Sequence, residues 1–156
     1  MTTAAKLKTY LDDHSIDYEL VPHPHTEYSM ATAAAAHVPG DRLAKAVIVS
    51  RAGEYLMVVV PSDYHVHLGL LRRHLGQEVG LVTEEEVVRL FSDCEAGAIP
   101  PIGAPYGLPT MLDTALLDEP EIFFESGDHS ALVRVSGDQF REILRDAERV
   151  EVGQHI

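Results

Sequence analysis

A single cysteine, Cys94, stands in a chain of 156 residues. No internal disulfide can form, which suits a reducing cytoplasm. Cationic residues are scarce: 12 Lys and Arg face 25 Asp and Glu, for a net charge of −13 with histidine neutral. That balance favours solubility and argues against broad binding along a phosphate backbone, which relies on Lys and Arg, so any contact with a polyanion has to be local. No apolar run nears the ~20 residues of a membrane-spanning helix. The start, Met-Thr-Thr-Ala-Ala-Lys-Leu-Lys, leads into a polar amphipathic segment rather than a secretory leader. The sequence also lacks a Gly-x-Ser-x-Gly elbow, a glycine-rich phosphate loop and a His-Glu-x-x-His pair. Cys94 has no histidine beside it, so a cysteine nucleophile has no support.

What remains is an ordinary globular composition, 46% apolar, in a length that makes one domain over residues 1–156. Residues 3–14 read as a helix with Ala4, Leu7 and Leu11 on one stripe. A short strand over 17–21 and an alanine-rich helix over 26–37 follow. Residues 43–50 and 55–60 read as a central hairpin around the turn at 51–54. A helix over 65–75 and a short strand over 78–82 come next. Thr83-Glu-Glu-Glu86 is a capping box and so opens a helix, and Ser136-Gly-Asp-Gln139 is a second one. Between them, 108–113, 121–125 and 131–135 read as strands, and 150–153 as a final edge strand. Helices and hairpins alternate without a regular β-α-β order. The expected class is therefore α+β, a mostly antiparallel mixed sheet, curled and barrel-like, with flanking helices.

The most unusual stretch is 94–105, Cys-Glu-Ala-Gly-Ala-Ile-Pro-Pro-Ile-Gly-Ala-Pro. Its prolines exclude a helix interior or central strand, yet it is apolar. Two readings stay open: a pocket wall or a buried structural turn. Lys45 lies early in an otherwise apolar strand, where it either snorkels to solvent or points into a pocket. His23/His25 and His65/His67 are spaced to share a strand face, but no third ligand accompanies them. Solvated histidines near turns are the favoured reading, and no metal or cofactor is expected. Asp113 ends a strand and reads by itself as a cap for the turn after it.

In chain order, Tyr28-Ser-Met-Ala31, Leu43-Ala-Lys-Ala-Val-Ile48, Gly97-Ala-Ile-Pro-Pro101-Ile-Gly103, a strand reaching Asp113 and Phe124-Glu-Ser-Gly-Asp-His129 resemble the YbaK / prolyl-tRNA-synthetase-associated editing-domain family, over roughly residues 15–148. The resemblance implies a free-standing hydrolase that removes a wrong small amino acid (Ala, Ser or Cys) from tRNA, typically tRNA-Pro. It implies a curled mixed sheet, in agreement with the reading above. It carries the family's lysine onto Lys45 and its Gly-x-x-x-Pro loop onto Gly97 and Pro101 as catalytic positions.

On that basis the amides of Ala98, Ile99, Ile102 or Gly103 are expected to hold the ester carbonyl oxygen. Met30, Val47, Ile99 and Ile102 are the candidate walls for the aminoacyl group, and Asp113 and His129 join the substrate-binding set. The implied partners are the acceptor end of an aminoacyl-tRNA and a prolyl-tRNA synthetase, in the cytoplasm. A local patch from Lys6, Lys8, Arg42, Lys45, Arg51, Arg72 and Arg73 is the candidate surface for the acceptor end. The acidic balance keeps a second reading open: a non-catalytic module of the same fold that binds an aminoacyl group, a small ligand or a protein.

Overall fold

The computed structural model describes residues 3–25, 32–34 and 36–156. Helix α1 (Ala5–Asp13) buries Leu7 and Leu11, as its stripe predicts. Strand β1 (Glu19–Pro22) follows. Of the expected helix over 26–37, residues 26–31 and 35 lie outside the described residues, and 32–34 are helical.

Strands β2 (Leu43–Arg51) and β3 (Glu54–Pro61) pair antiparallel from Ala44↔Pro61 to Arg51↔Glu54. The two-residue connection places Ala52 and Gly53 at φ 47° and 82°. Two positive φ values match the right-handed twist of a hairpin.

The segment expected as one helix over 65–75 is divided. Tyr64–Val66 is strand β4, and helix α2 starts at Leu68 with His67 as its cap, the imidazole accepting from the Leu70 amide. The cause is non-local: β4 pairs with the last strand, β10 (Gly153–His155), an edge no local pattern announces. Strand β5 (Val79–Leu81) leads into helix α3 (Glu84–Leu90). There the Thr83/Glu86 capping box forms in both directions.

After the loop come β6 (Thr110–Asp113), β7 (Glu121–Glu125), β8 (Ala131–Ser136), helix α4 (Gly137–Ile143) and β9 (Glu148–Val150). Only half of the second box forms. Ser136 accepts from the Gln139 amide, but the Gln139 side chain accepts from Asp17 N–H at 3.3 Å instead of returning to Ser136.

The strand order is β1-β8-β7-β2-β3-β6-β9, with β5 also pairing β2. The sheet is mixed: β2–β7, β3–β6 and β6–β9 are parallel, and the other ladders antiparallel. It curls around one core holding Leu7, Met57, Phe91, Phe124 and Phe140, all fully buried. The opposite face carries two smaller clusters. One lies around Leu71 and Val58, the other around Leu43, Phe123 and Leu132.

Candidate active site

One edge of β2 is left open in the middle of the sheet. On that side β7 pairs only with Leu43 and Ala44, and β5 only with Val49, Ser50 and Arg51. The Ser62 amide donates to Leu43 C=O at 2.7 Å, so the backbone of Leu43 faces β3. Alternation along a strand then turns the N–H and C=O groups of Ala46 and Ile48 to that side; the Val49↔Leu81 pairing occupies the Ile48 carbonyl with the Val82 amide, and among the described residues no strand meets Ala46 in the gap. The gap is a cleft of about 240 Å³, and residues from both faces of β2 line it: Lys45 and Val47 from one, Ala46 and Ile48 from the other. Leu81, Val82, Glu84 and Val87 form the wall from β5 into α3. Gly97, Ile99 and Glu125 close the remaining side. Lys45, Gly97, Val47 and Ile99, all named from sequence, meet in this cleft.

Lys45 is half-buried. Its Nζ reaches the Ser62 carbonyl at 3.4 Å, and among the described residues it has no ion-pair partner. Burial lowers its pKa below the ordinary lysine value, and the negative charge of Asp63 offsets part of that shift. The result is a cation at the cleft wall with little holding it.

The loop is shaped from behind. The Glu95 amide donates to Gly127 C=O at 2.8 Å, and Glu95 Oε2 accepts from the His129 amide at 2.9 Å. The His129 ring bonds Ala96 C=O through Nε2. Residues 95–98 form a turn closed by Ala98 N–H to Glu95 C=O at 3.1 Å, with Gly97 at φ 82°. A side chain at Gly97 is disfavoured in that conformation. Among the described residues, the Gly97 and Ile99 amides have no partner, and both residues line the cleft.

Other expected site residues lie elsewhere. The Ala98 amide is consumed by its own turn, and Ala98 is buried. Pro101, Ile102 and Gly103 are buried, do not line the cleft, and Ile102 is part of the main core. His129 is buried behind the loop and braces it, and does not line the cleft.

Asp113 serves the fold. It caps the turn after β6 by accepting from Ala115 N–H at 2.9 Å, as its local reading has it. It also accepts from Val152 and Gly153 N–H at 3.0 and 2.7 Å. Met30 lies outside the described residues. Cys94 is no nucleophile: burial pushes its thiol up to about 12. The histidine pairs are spoken for singly, with His67 as the α2 cap and His65 on Gln154. Among the described residues no group of three potential metal ligands comes together.

The side chain missed from sequence is Glu125. It is 3% exposed at the end of β7, and burial, reinforced by Asp128 and Glu95, raises its carboxyl to about 8 against the nearby Thr32 side chain. The signal was present, because alternation in Glu-Ile-Phe-Phe-Glu puts Glu125 on the same face as buried Phe123.

The folded protein keeps the Glu125 proton from about 4.5, where an ordinary glutamate loses it, to about 8. Its contribution to stability is therefore present below that interval and lost as pH rises through it. Glu125→Gln is expected to raise Tm at pH 8.5 by at least about 2–4 °C relative to its effect at pH 5, some 1 kcal/mol for a chain of this size. Thermal melts of both proteins at the two pH values check this; equal shifts would contradict the burial argument.

A family model for the aminoacyl-tRNA editing domain matches residues 23–143. The chain belongs to that family, whose domain acts in aminoacyl-tRNA editing, and the matched span contains Lys45, Gly97 and Glu125. Among curated proteins none matches the chain. A candidate trans-editing enzyme for prolyl tRNA synthetase shares the fold at a TM-score of 0.84 and 23% identity, over 99% of this chain and 98% of that one. The hypothetical protein APE2540 does so at 0.84 and 24%, over 96% and 99%. A candidate signal transduction protein from Marinobacter aquaeolei VT8 does so at 0.77 and 17%, over 95% of this chain but 30% of its own. Among the described residues no helix is long and apolar enough to cross a membrane.

Proposed function

We propose that this chain is a free-standing aminoacyl-tRNA deacylase, which hydrolyses the ester of a tRNA, tRNA-Pro first, mischarged with a small amino acid. The observation that carries the reading is the meeting of Lys45 with the Gly97 and Ile99 amides, which have no partner among the described residues, in one cleft. An ester is already activated, so the protein needs no strong nucleophile. Two backbone N–H donors can hold the carbonyl oxygen as negative charge develops on it, and a donor already in place costs no reorganisation at the moment of reaction. Lys45 supplies the nearby positive charge, for the terminal phosphate or for the developing oxyanion. Attack comes from a water oriented by the vicinal ribose hydroxyl: its oxygen bonds the carbonyl carbon, the acyl–ribose C–O bond breaks, and the proton the water gives up ends on the leaving ribose oxygen. The small cleft, walled by Val47, Ile99 and Val87, admits a small acyl group more readily than a large one.

The basic patch is thinner than its residue list suggests. Lys8 pairs with Asp12 at 2.7 Å, Arg42 with Glu119 at 3.2 Å and Arg72 with Glu78 at 3.4 Å. This favours a small footprint on the acceptor end, with a prolyl-tRNA synthetase delivering the substrate in the cytoplasm. Sub-stoichiometric protein should release alanine, serine or cysteine from mischarged tRNA-Pro while sparing prolyl-tRNA-Pro. Equal release from all four contradicts the size argument.

A specific observation favours a second reading, a ligand-binding module without catalysis: the same fold occurs as 30% of a candidate signal transduction protein. Salt separates the two. A tRNA enzyme binds tRNA more weakly as salt rises, here with a shallow slope because few phosphates are contacted. Salt-independent binding, or none, favours the module.

A further inference from the structure

Glu125 has no task in the reading above, yet it stands in the same cleft. Among the described residues neither carboxyl oxygen has a partner in good hydrogen-bond geometry, and the Thr32 side chain that approaches it favours its charged form. Burying an acid in that state is costly, and it persists where the group has work to do. The register places that work. Ala44 pairs with Phe124 in the parallel β2–β7 ladder, so Glu125 lies one step further along, beside Lys45 and the open edge of β2. Two acceptors therefore border one side of the cleft, the Glu125 carboxyl and the outward carbonyl of Ala46. The donors, Lys45 Nζ and the Gly97 and Ile99 amides, border the rest.

Such a division fits a ligand carrying a carbonyl oxygen and a cationic group on adjacent atoms. An aminoacyl ester is that ligand: its α-ammonium sits one bond from the ester carbonyl carbon. We infer that Glu125, with the open Ala46 carbonyl on the edge of β2, forms a subsite that selects acyl groups bearing a free α-amino group. The inference rests on the aminoacyl reading of the cleft and adds what that cleft recognises.

Protonation makes it pH-dependent. A free α-amino group titrates near 8, close to the carboxyl in its buried place. At neutral pH acid and amine each hold a proton, so forming the pair releases one, and binding of the free amine should tighten as pH rises toward 8. The other groups facing Glu125 are Asp128 from the hairpin turn, Glu95 from the loop and Thr32 from the helical residues 32–34. Lys45, on the neighbouring strand, is turned to Ser62 and Asp63. An N-acylated substrate offers no cation and would leave the buried acid unpaired.

The test is a binding measurement that does not require turnover. The probes are 3′-alanylamino-3′-deoxyadenosine, an amide that resists hydrolysis, and its N-acetyl derivative, each titrated calorimetrically into wild type, Glu125→Gln and Glu125→Asp. Wild type is expected to bind the free amine at least ~10-fold tighter, the size of one charge-assisted hydrogen bond. In Glu125→Gln that preference should collapse and lose its pH dependence between 6 and 9 (roughly, the interval spanned by acid and amine). Glu125→Asp should recover part of it. Equal binding of the two probes by wild type, survival of the preference in Glu125→Gln, or binding of neither probe overturns the inference. A Glu125-dependent preference without release from any mischarged tRNA supports the subsite and removes the hydrolase reading, so the two fail separately.

Discussion

Lys45→Ala is expected to cut deacylation by at least about 100-fold, the loss typical of removing one preorganised electrostatic contact to a developing oxyanion. The melting temperature should stay within a degree or two of wild type, since exposed or weakly tethered side chains seldom cost more than about 0.5 kcal/mol. The asymmetry follows from the lysine's surroundings. It is half-buried, and among the described residues it has no ion-pair partner and no polar contact besides the 3.4 Å approach to Ser62 C=O. Removing it leaves no buried carboxylate stranded within ion-pair distance. Burial has already lowered its pKa, so the fold gains nothing from its charge, whereas a bound ester would. Lys45→Arg keeps the charge but not the compact ammonium, and is expected to recover only part of the rate. Single-turnover rates beside thermal melts separate the two effects. A large loss of stability in Lys45→Ala would instead make the residue a structural one.

A large loss of stability is expected from Gly103→Ala. Gly103 has ordinary φ and ψ of −82° and −25°, so conformation does not require glycine there. Space does: an added Cβ would stand 2.6 Å from the Leu108 carbonyl oxygen, a backbone atom, and would also collide with the Thr110 hydroxyl. Because Leu108 N–H donates back to Gly103 C=O at 3.0 Å, the two segments cannot part without breaking the turn that returns the loop to β6. Overpacking of this kind costs roughly 1–3 kcal/mol, and a Tm loss of several degrees is expected, about 2–4 °C per kcal/mol. Gly97→Ala gives the contrast. At φ 82° it pays a conformational cost nearer 1 kcal/mol, but it moves a cleft amide, so its activity should fall more than its stability. If both variants lost stability and activity in the same proportion, the division of the loop into an anchor at Gly103 and a working turn at Gly97 would be wrong.

What the sequence made legible was local. The Ala-Val-Ile-Val run against Tyr-Leu-Met-Val-Val-Val gave the β2–β3 hairpin, and Thr83 with Glu86 gave the start of α3. Lys45 and the Gly-x-x-x-Pro loop stood out as the pair on which the resemblance rests, and the fold brings Lys45 and Gly97 into one cleft. What stayed hidden depends on distant partners. The open edge of β2 exists because β7 stops pairing at Ala44 and β5 begins at Val49, a fact of three strands far apart in sequence. The Ala98 amide was counted as a free donor because its acceptor, Glu95 C=O, appears only once the turn is built. Asp113 is legible as a local cap, but its hold on Val152 and Gly153 is non-local, and together these bonds engage both of its oxygens with the fold. Glu125 is visible as a charge on an apolar strand face, but its place beside Lys45 depends on the register of β7 against β2.

The most direct test is a time course of alanine release from alanyl-tRNA-Pro, with seryl- and cysteinyl-tRNA-Pro alongside, by wild type and by folded Lys45→Ala. The account predicts multiple-turnover release of at least one of the three by wild type, and near-background release of the same amino acid by the variant. No release from any of them by wild type, or equal release by both proteins, would contradict it.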